Sequence, residues 1–244
     1  MSKEILSQIK TTFDKYKIEF WLDCGTLLGA IREGRMIKGD HDIDLGAWRE
    51  DVPKIIEACK ELGYSIHYDE KYDGNLITAT NKTKYPVGFW LSYKDHKDTV
   101  FKYDYPIHKL GEFCDFLLWN LKLRHSEQKE SSLPLPLISL VFKVCSILPS
   151  CLREKLIHII QTIYTKLDAI TIEATLPGHY FDSFKTIKFY GEEFKIPAKI
   201  EEYLLFRYGA SWRIPEALNK RRAGIWLEKS AADVKRFRGN KRLS

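Results

Sequence analysis

Three aspartates that alternate along one short stretch are the residues best suited to metal chemistry. Asp40, Asp42 and Asp44 lie at every second position, so an extended strand would direct all three carboxylates to one face of a sheet. Like charges on one face repel and raise the pKa of each carboxyl group unless solvent or a cation neutralises them. A hard divalent ion accepts such a set of oxygen ligands. The spacing therefore predicts a site for Mg2+ or Mn2+.

Two other interpretations of the acidic stretch are weaker. An exposed acidic strand does not account for Ile43 and Leu45, which alternate with the acids and predict an inward face. A calcium loop of the EF-hand type fits poorly, because the alternation of acids gives way to residues 45–48, Leu-Gly-Ala-Trp.

A turn of small residues, Gly25-Thr26, precedes the acids. An apolar strand is predicted before it, over 18–22, and a helix after it, from about Leu27 to Glu33. The first N–H groups of a helix have no partner within the helix and can hold an anion. The order of strand, turn, helix and acidic strand is typical of the nucleotidyltransferase fold, in which the turn contacts the donor's phosphates and the acids hold the metal.

Charge and composition narrow the class of protein. The chain has 244 residues, of which 44% are hydrophobic, so it can bury a substantial core. Lys and Arg outnumber Asp and Glu by 39 to 33, and this basic balance favours an anionic partner such as a nucleotide, a phosphorylated glycan, nucleic acid or anionic lipid. Five scattered cysteines form no CxxC pair, and residues 1–10 lack the apolar core of a secretory signal. We therefore predict reduced thiols and a cytoplasmic protein.

Periodicity predicts an α+β fold, a mixed sheet flanked by helices with a helical insertion. The predicted helices cover 5–16, 27–33, 51–62, 152–167 and 200–208. The predicted strands cover 18–22, 40–46, 64–68, 76–80, 87–93 and 113–119, with a hairpin loop at 94–98 and a hairpin at 189–197. The predicted domains are a catalytic core at 1–130, an insertion at 131–176 and a C-terminal segment at 177–244 that completes the site and ends in a basic tail.

The insertion contains an apolar run, Leu133–Leu148, that includes Lys143 and two prolines. It falls short of the roughly 20 uninterrupted apolar residues of a spanning helix. Two interpretations stay open: a helical insertion packed on the core, or a surface in peripheral contact with the inner face of a membrane.

Two segments near the N-terminus, Trp21–Arg32 (WLDCGTLLGAIR) and Ile37–Gly46 (IKGDHDIDLG), resemble the LicD/fukutin family of nucleotidyltransferase-fold phosphotransferases. A second resemblance lies near the C-terminus, in residues 194–197, 203–209, 212–215 and 224–226. The first match is specific and the second supports it. Residues 104 to about 175 are poorly covered.

The resemblance implies a reaction. It is the transfer of a substituted phosphate, of the ribitol phosphate, glycerol phosphate or phosphocholine type, from a CDP-activated donor to a hydroxyl of a cell-surface glycan, which includes lipid-linked acceptors. The resemblance makes Asp42 and Asp44 catalytic metal ligands, with Asp40 as their partner. It makes Gly25 and Thr26 the phosphate turn. Arg32 and Lys38 follow as basic residues that neutralise the donor's diphosphate.

One position departs from the family pattern. Fukutin-like sequences carry a third acid early in the strand aligned with Val87–Tyr93, and this chain has Gly88 there. Asp115, in the strand predicted over 113–119, is the catalytic candidate for that role, and Asp40 is the alternative.

Two rival functions remain. A nucleotidyltransferase that moves a nucleoside monophosphate from a triphosphate to a small molecule or RNA would share the turn and the acid pair. A basic module that binds nucleic acid or a membrane would explain the basic tail and the apolar run. Nucleic acid is the less favoured partner.

Overall fold

The structure is a computed structural model of the chain that describes residues 2–38, 40, 42–68, 74–81, 84–106, 109–122, 148–164, 166–167 and 169–215. The chain divides into two compact units. The first comprises Met1–Tyr103 and Glu173–Ala232, and the second comprises Asp104–Ile172 and Asp233–Ser244. These boundaries differ from those of the predicted domains. The part of the apolar run at 133–147 and the basic tail after 215 lie outside the described residues.

A five-stranded mixed sheet forms the centre of the first unit, with strand order β1-β2-β5-β4-β3. The strands are β1 Phe20–Leu22, β2 Ile43–Trp48, β3 Ser65–Tyr68, β4 Leu76–Asn81 and β5 Lys84–Ser92. Strands β2 and β5 are parallel, whereas the other neighbours are antiparallel. The predicted mixed sheet is confirmed. Its parallel pair places Asp44 directly opposite Gly88.

Helices α1 Ser2–Lys15, α2 Cys24–Arg32 and α3 Val52–Glu61 also belong to the first unit. The first is amphipathic, as predicted, and its buried residues recur at helical spacing: Ile5, Leu6, Ile9 and Phe13. Phe13 stacks on Phe89 of β5, with ring centroids 5.5 Å apart. Helix α1 therefore supports the sheet.

The remaining strands form two small sheets. Strands β6 Thr99–Pro106 and β7 Ala169–Leu176 pair with each other, and β8 Phe184–Phe189 pairs antiparallel with β9 Glu192–Pro197. The hairpin between β8 and β9 turns at Tyr190 and Gly191, which both have positive φ, as a tight hairpin turn of this kind requires.

The second unit contains α4 Lys109–Lys122 and α5 Ser150–Tyr164, which pack against each other. The strand predicted over 113–119 is wrong, because these residues lie in α4. Cys114, Leu118 and Leu121 are buried at helical spacing, a period that the short apolar run did not reveal.

In chain order, the next helix is α6 Ile200–Tyr208, in the first unit, with Gly209 as its C-cap. Its predicted bounds are confirmed. The loop predicted as a hairpin at 94–98 instead joins β5 to β6, which belong to different sheets.

Of the helices in the described ranges, none is both long enough and apolar enough to cross a membrane.

The close packing of Gly46 against Trp21 generates a first prediction. A Cβ at position 46 would lie 1.9 Å from Nε1 of Trp21, a fully buried side chain. Because Trp21 also contacts Phe181, with ring centroids 4.8 Å apart, it cannot move aside easily. We expect Gly46→Ala to lower the free energy of unfolding by roughly 3 kcal/mol, measured by chemical denaturation.

The control is a cycle with Trp21→Leu, which removes the ring. In that background Gly46→Ala should cost much less stability. Equal costs in the two backgrounds would show that the contact does not govern the packing.

Candidate functional site

The carboxylate of Asp44 lies at the junction of α2, β2 and β5. The indole Nε1 of Trp90 donates a hydrogen bond of 3.0 Å to its Oδ1, and the backbone N–H of Gly25 donates one of 3.1 Å to its Oδ2. The backbone N–H of Asp44 donates to Oγ1 of Thr26 at 2.9 Å. Both halves of the predicted motif therefore meet at this aspartate.

The start of α2 explains this convergence. Asp23 caps the helix, and its Oδ1 accepts a 2.6 Å hydrogen bond from the backbone N–H of Cys24. The helix begins three residues earlier than predicted, so Gly25 and Thr26 lie in its first turn. Cys24 has a φ of +42°, a strained value for a residue with a side chain. Since the N–H groups of a first turn attract negative charge, they hold Asp44.

Gly25 also brings Asp40 to the site. A Cβ at position 25 would lie 2.6 Å from Oδ2 of Asp40 and 3.4 Å from Oδ2 of Asp44. Both carboxylates therefore approach the same side of the turn, and only glycine leaves room for them.

The pKa of Asp44 is raised to about 7, and burial is the largest cause. The negative charges of Asp40 and Asp23 also act to raise it, whereas the hydrogen bonds from Trp90 and Gly25 act to lower it. The two hydrogen bonds stabilise the charged carboxylate, but they do not offset the effects of burial and of the two neighbouring acids, so the pKa stays above its ordinary value.

The expectation that one strand presents all three acids is wrong. Strand β2 begins at Ile43, so Asp44 lies in the strand, whereas Asp40 and Asp42 lie in the segment before it. Within the described ranges, no three Asp, Glu, His or Cys side chains are arranged to enclose a metal ion. The pair formed by Asp40 and Asp44 does fit Mg2+, which binds through one or two carboxylates and takes water and substrate phosphates as its other ligands.

The position of the family's third acid is occupied by a residue without a side chain. Gly88 lies opposite Asp44 in the parallel pair, and a Cβ there would be 3.2 Å from Oδ1 of Asp44. Two residues further along β5, Trp90 donates to that oxygen. Asp115 lies in α4, and its side chain is outside the described residues, so its catalytic role stays a prediction.

The two predicted basic residues differ in their surroundings. Arg32 lies at the far end of α2, where its Nη2 forms a 2.6 Å ion pair with Glu33 and its Nη1 donates to the carbonyl of Trp212 at 3.3 Å. The structure does not bring Arg32 to Asp44. Lys38 is exposed, two positions before Asp40, and its contact with substrate stays a prediction.

A buried cluster beneath the turn escaped the sequence analysis. Asp23 accepts a 2.5 Å hydrogen bond from the hydroxyl of Tyr203 and two of 3.3 Å from Nη2 of Arg207. Nε of Arg207 donates to the Tyr203 oxygen at 2.9 Å. The available signal was the spacing of Tyr203 and Arg207, which is one helical turn in a segment that resembles the family.

The charge states of the cluster follow from its burial. Burial raises the pKa of Tyr203 well above its ordinary value, so its hydroxyl stays protonated and donates. Burial alone would lower the pKa of Arg207, but the carboxylate of Asp23 and other neighbours raise it well above its ordinary value. Burial also raises the pKa of Cys24, which favours a neutral thiol rather than a nucleophile.

The raised pKa of Asp44 generates a second prediction. Because the fold favours the protonated carboxyl, the stability that Asp44 contributes is fully present below its ordinary pKa of 3.8 and is lost as the pH rises through about 7. Relative to Asp44→Asn, the parent should lose on the order of a few kcal/mol of unfolding free energy between these limits. Chemical denaturation in metal-free buffer across this pH range measures the difference, and parallel profiles for the two proteins would contradict it.

Residues 17–140 match the family described as LicD/FKTN/FKRP, nucleotidyltransferase domain. A protein of Rickettsia prowazekii, named only as uncharacterised, is 32% identical over 120 residues, which cover 45% of each chain. The mouse ribitol-5-phosphate transferase FKTN is 32% identical over 100 residues, which cover 39% of this chain and 22% of the transferase. The lipopolysaccharide cholinephosphotransferase LicD of Haemophilus influenzae is 23% identical over 238 residues, which cover 86% of this chain and 88% of LicD.

The matches to the Rickettsia protein and to FKTN span less than half the length of those relatives. Among solved structures, that of the antibiotic-resistance factor ANT(2'')-Ia is 14% identical in sequence, with a TM-score of 0.34. The alignment covers 67% of this chain and 93% of the ANT(2'')-Ia chain. A similarity that low does not bear on the fold. The family match covers more than half of the chain and includes Gly25, Asp40, Asp42 and Asp44, and the chain belongs to the LicD/FKTN/FKRP family.

Proposed function

We propose that this chain transfers a substituted phosphate, of the ribitol phosphate, glycerol phosphate or phosphocholine type, from a CDP-activated donor to a hydroxyl of a cell-surface glycan, with Mg2+ or Mn2+ as cofactor. The observation that carries the proposal is the partly buried carboxylate of Asp44, held by the first turn of α2 and accompanied by Asp40. The names of two relatives, a ribitol-5-phosphate transferase and a cholinephosphotransferase, support the kind of group transferred.

In the proposed reaction, a hydroxyl oxygen of the acceptor attacks the phosphorus of the donor in line with the leaving group. A new phosphorus–oxygen bond forms, the bond to CMP breaks, and the hydroxyl proton passes to a carboxylate. The cation, when bound, would neutralise charge on the phosphate oxygens.

The residues of this chain have separate parts in the proposal. Asp44 and Asp40 would ligate the cation, and Asp42 completes the predicted ligand set. Thr26 is buried and its hydroxyl oxygen is used by the backbone of Asp44, so we assign it the role of fixing α2 against β2. Gly25, with no side chain, leaves room beside the turn for the carboxylates of Asp40 and Asp44, and its contact with a donor phosphate stays a prediction.

A location on the inner face of a membrane, near a lipid-linked acceptor, is part of the proposal. Its support is a row of exposed apolar side chains on α5, at helical spacing: Leu152, Ile159 and Ile163. The scattered cysteines support a cytoplasmic setting.

Calorimetry with three donors tests the donor class. CDP-ribitol, CDP-glycerol and CDP-choline are titrated into the protein with Mg2+ and, separately, with EDTA. We expect one of them to bind with Mg2+ and to bind more weakly without it, because a cation held by Asp40 and Asp44 would offset the negative charge of the donor's diphosphate. Release of CMP in the presence of acceptor should follow.

Two results would contradict this proposal. One is a folded protein that binds none of the three donors. The other is turnover of a nucleoside triphosphate with release of pyrophosphate, which would favour a nucleotidyltransferase instead.

Replacement of Asp44 tests the assigned ligand. Asp44→Asn keeps the shape of the side chain but removes its charge, and we expect the rate of CMP release to fall about 100-fold or more while the protein stays folded. Asp95→Asn is the matched control, since Asp95 is exposed in the loop after β5. If both variants retain the parent rate, Asp44 is not a ligand.

A further inference from the structure

A single buried guanidinium lies between the two halves of the site. The side chains of Arg207 and its partner Asp23 are almost completely buried, at 2% and 1% exposed. Asp23 immediately precedes the turn at Gly25, and its backbone N–H donates to the carbonyl of Asp44 at 3.2 Å. Arg207 therefore reaches the base of the turn from α6.

The same guanidinium also covers the ring that holds Asp44. Cζ of Arg207 lies 5.2 Å from the centroid of the Trp90 ring, and Nε1 of that ring donates to Oδ1 of Asp44. A cation over the face of an indole is attracted by the ring electrons. It also withdraws electron density from the ring, which makes the N–H a stronger donor, as in other chains of polarised groups.

Packing alone does not explain an arginine at this position. Removing two charges from water costs free energy that a well-packed apolar pair would not incur. The geometry of the cluster is nevertheless specific: Tyr203 and Asp23 fix the plane of the guanidinium with three of its donor contacts. The guanidinium held in this way lies over the Trp90 ring, whose N–H donates to Asp44.

We propose that Arg207 is a positioning residue: by lying over the ring of Trp90 it keeps the indole N–H on Asp44 and so sets the carboxylate for the cation. This inference rests on the proposed function for the identity of the cation. The contacts from Arg207 to Trp90 and from Trp90 to Asp44 do not depend on any ligand.

The first experiment therefore needs no ligand. The chain has six tryptophans, and the indole N–H resonance of Trp90 is assigned by its loss in Trp90→Phe. Arg207→Lys keeps the charge but lacks the planar fork. We expect it to move the chemical shift of this resonance toward that of an indole N–H with a weaker hydrogen bond. Arg213→Lys, at an exposed arginine in the same segment, is the matched control and should leave it in place.

A second variant separates positioning from stability. Removing Arg207 alone would leave the buried carboxylate of Asp23 without its positively charged partner, so Asp23→Asn is combined with Arg207→Met. Asparagine still caps α2, and the pair is then neutral. If the cluster only stabilises the fold, the Trp90 resonance of this double variant stays in place. If Arg207 positions the ring, the resonance moves.

The second experiment measures the affinity for Mn2+ alone by calorimetry. We expect Arg207→Lys to weaken Mn2+ binding about tenfold, the usual size of such an effect for groups that orient a metal ligand. In a Trp90→Phe background the same substitution should have little further effect, because the group through which Arg207 acts is already gone. Additive losses would overturn the proposed route.

The two experiments distinguish a failure of the proposed function from a failure of the role of Arg207. A parent protein that binds neither Mn2+ nor a CDP-linked donor would contradict the proposed function, whereas the resonance would still report on the positioning of Trp90. An unmoved Trp90 resonance in both Arg207→Lys and the neutral pair, in proteins that remain folded, would overturn the role of Arg207 whatever the parent binds.

Discussion

The site in the first unit is arranged around one partly buried carboxylate, that of Asp44. Asp44 lies where α2, β2 and β5 meet, and burial alone would favour its protonated form. Two fixed N–H donors, one from Gly25 and one from Trp90, oppose that effect without cancelling it. The charged form of a carboxylate held in this way costs free energy in the isolated chain. A bound cation would offset both the loss of hydration and the repulsion from Asp40, so the position is suited to a cation.

The strand pairing and two glycines give the carboxylate of Asp44 the space and the donor that it needs. Parallel pairing of β2 with β5 places Gly88 beside Asp44 and Trp90 two residues away on the same face. Glycine at 25 admits the carboxylate of Asp40, and glycine at 88 leaves the space beside Oδ1 open. A side chain at either position would compete with the acids for the same volume. The absence of a third acid on β5 is thus accompanied by an indole donor on that strand.

The sequence predicted elements whose patterns are local. The amphipathic α1, the start of α3 near Asp51 and Pro53, and the bounds of α6 with Gly209 all follow from spacing and end signals. The sequence also predicted the helix that contains Gly25 and the strand that contains Asp44. The prediction was wrong for α4, where a short apolar run was interpreted as a strand. It was also wrong about the start of β2, which begins at Ile43 and not at Asp40. Period alone cannot show where a strand begins.

Contacts between distant residues could not be predicted in the same way. Nothing local in the sequence pairs Asp23 with Arg207 or places Trp90 beside Asp44, since these contacts depend on how α6 and β5 pack on α2. Arg32 illustrates the converse: its proximity in sequence suggested a diphosphate ligand, but a helix rises about 1.5 Å per residue, so seven residues separate it from Gly25 by roughly 10 Å. Its guanidinium is instead paired with Glu33.

Tyr203 and Arg207, in the second segment that resembles the family, contact Asp23 in the first. Residues 17–140 match the family and include the turn and the acids, but Tyr203 and Arg207 lie beyond that range. A fragment ending at 140 would keep Asp23 and lose both of its side-chain partners, leaving a buried carboxylate whose charge has no cation beside it. Such a group either takes up a proton or rearranges. Either change would occur directly beneath the turn that holds Asp44, so Tyr203 and Arg207 support the same turn as the acids do.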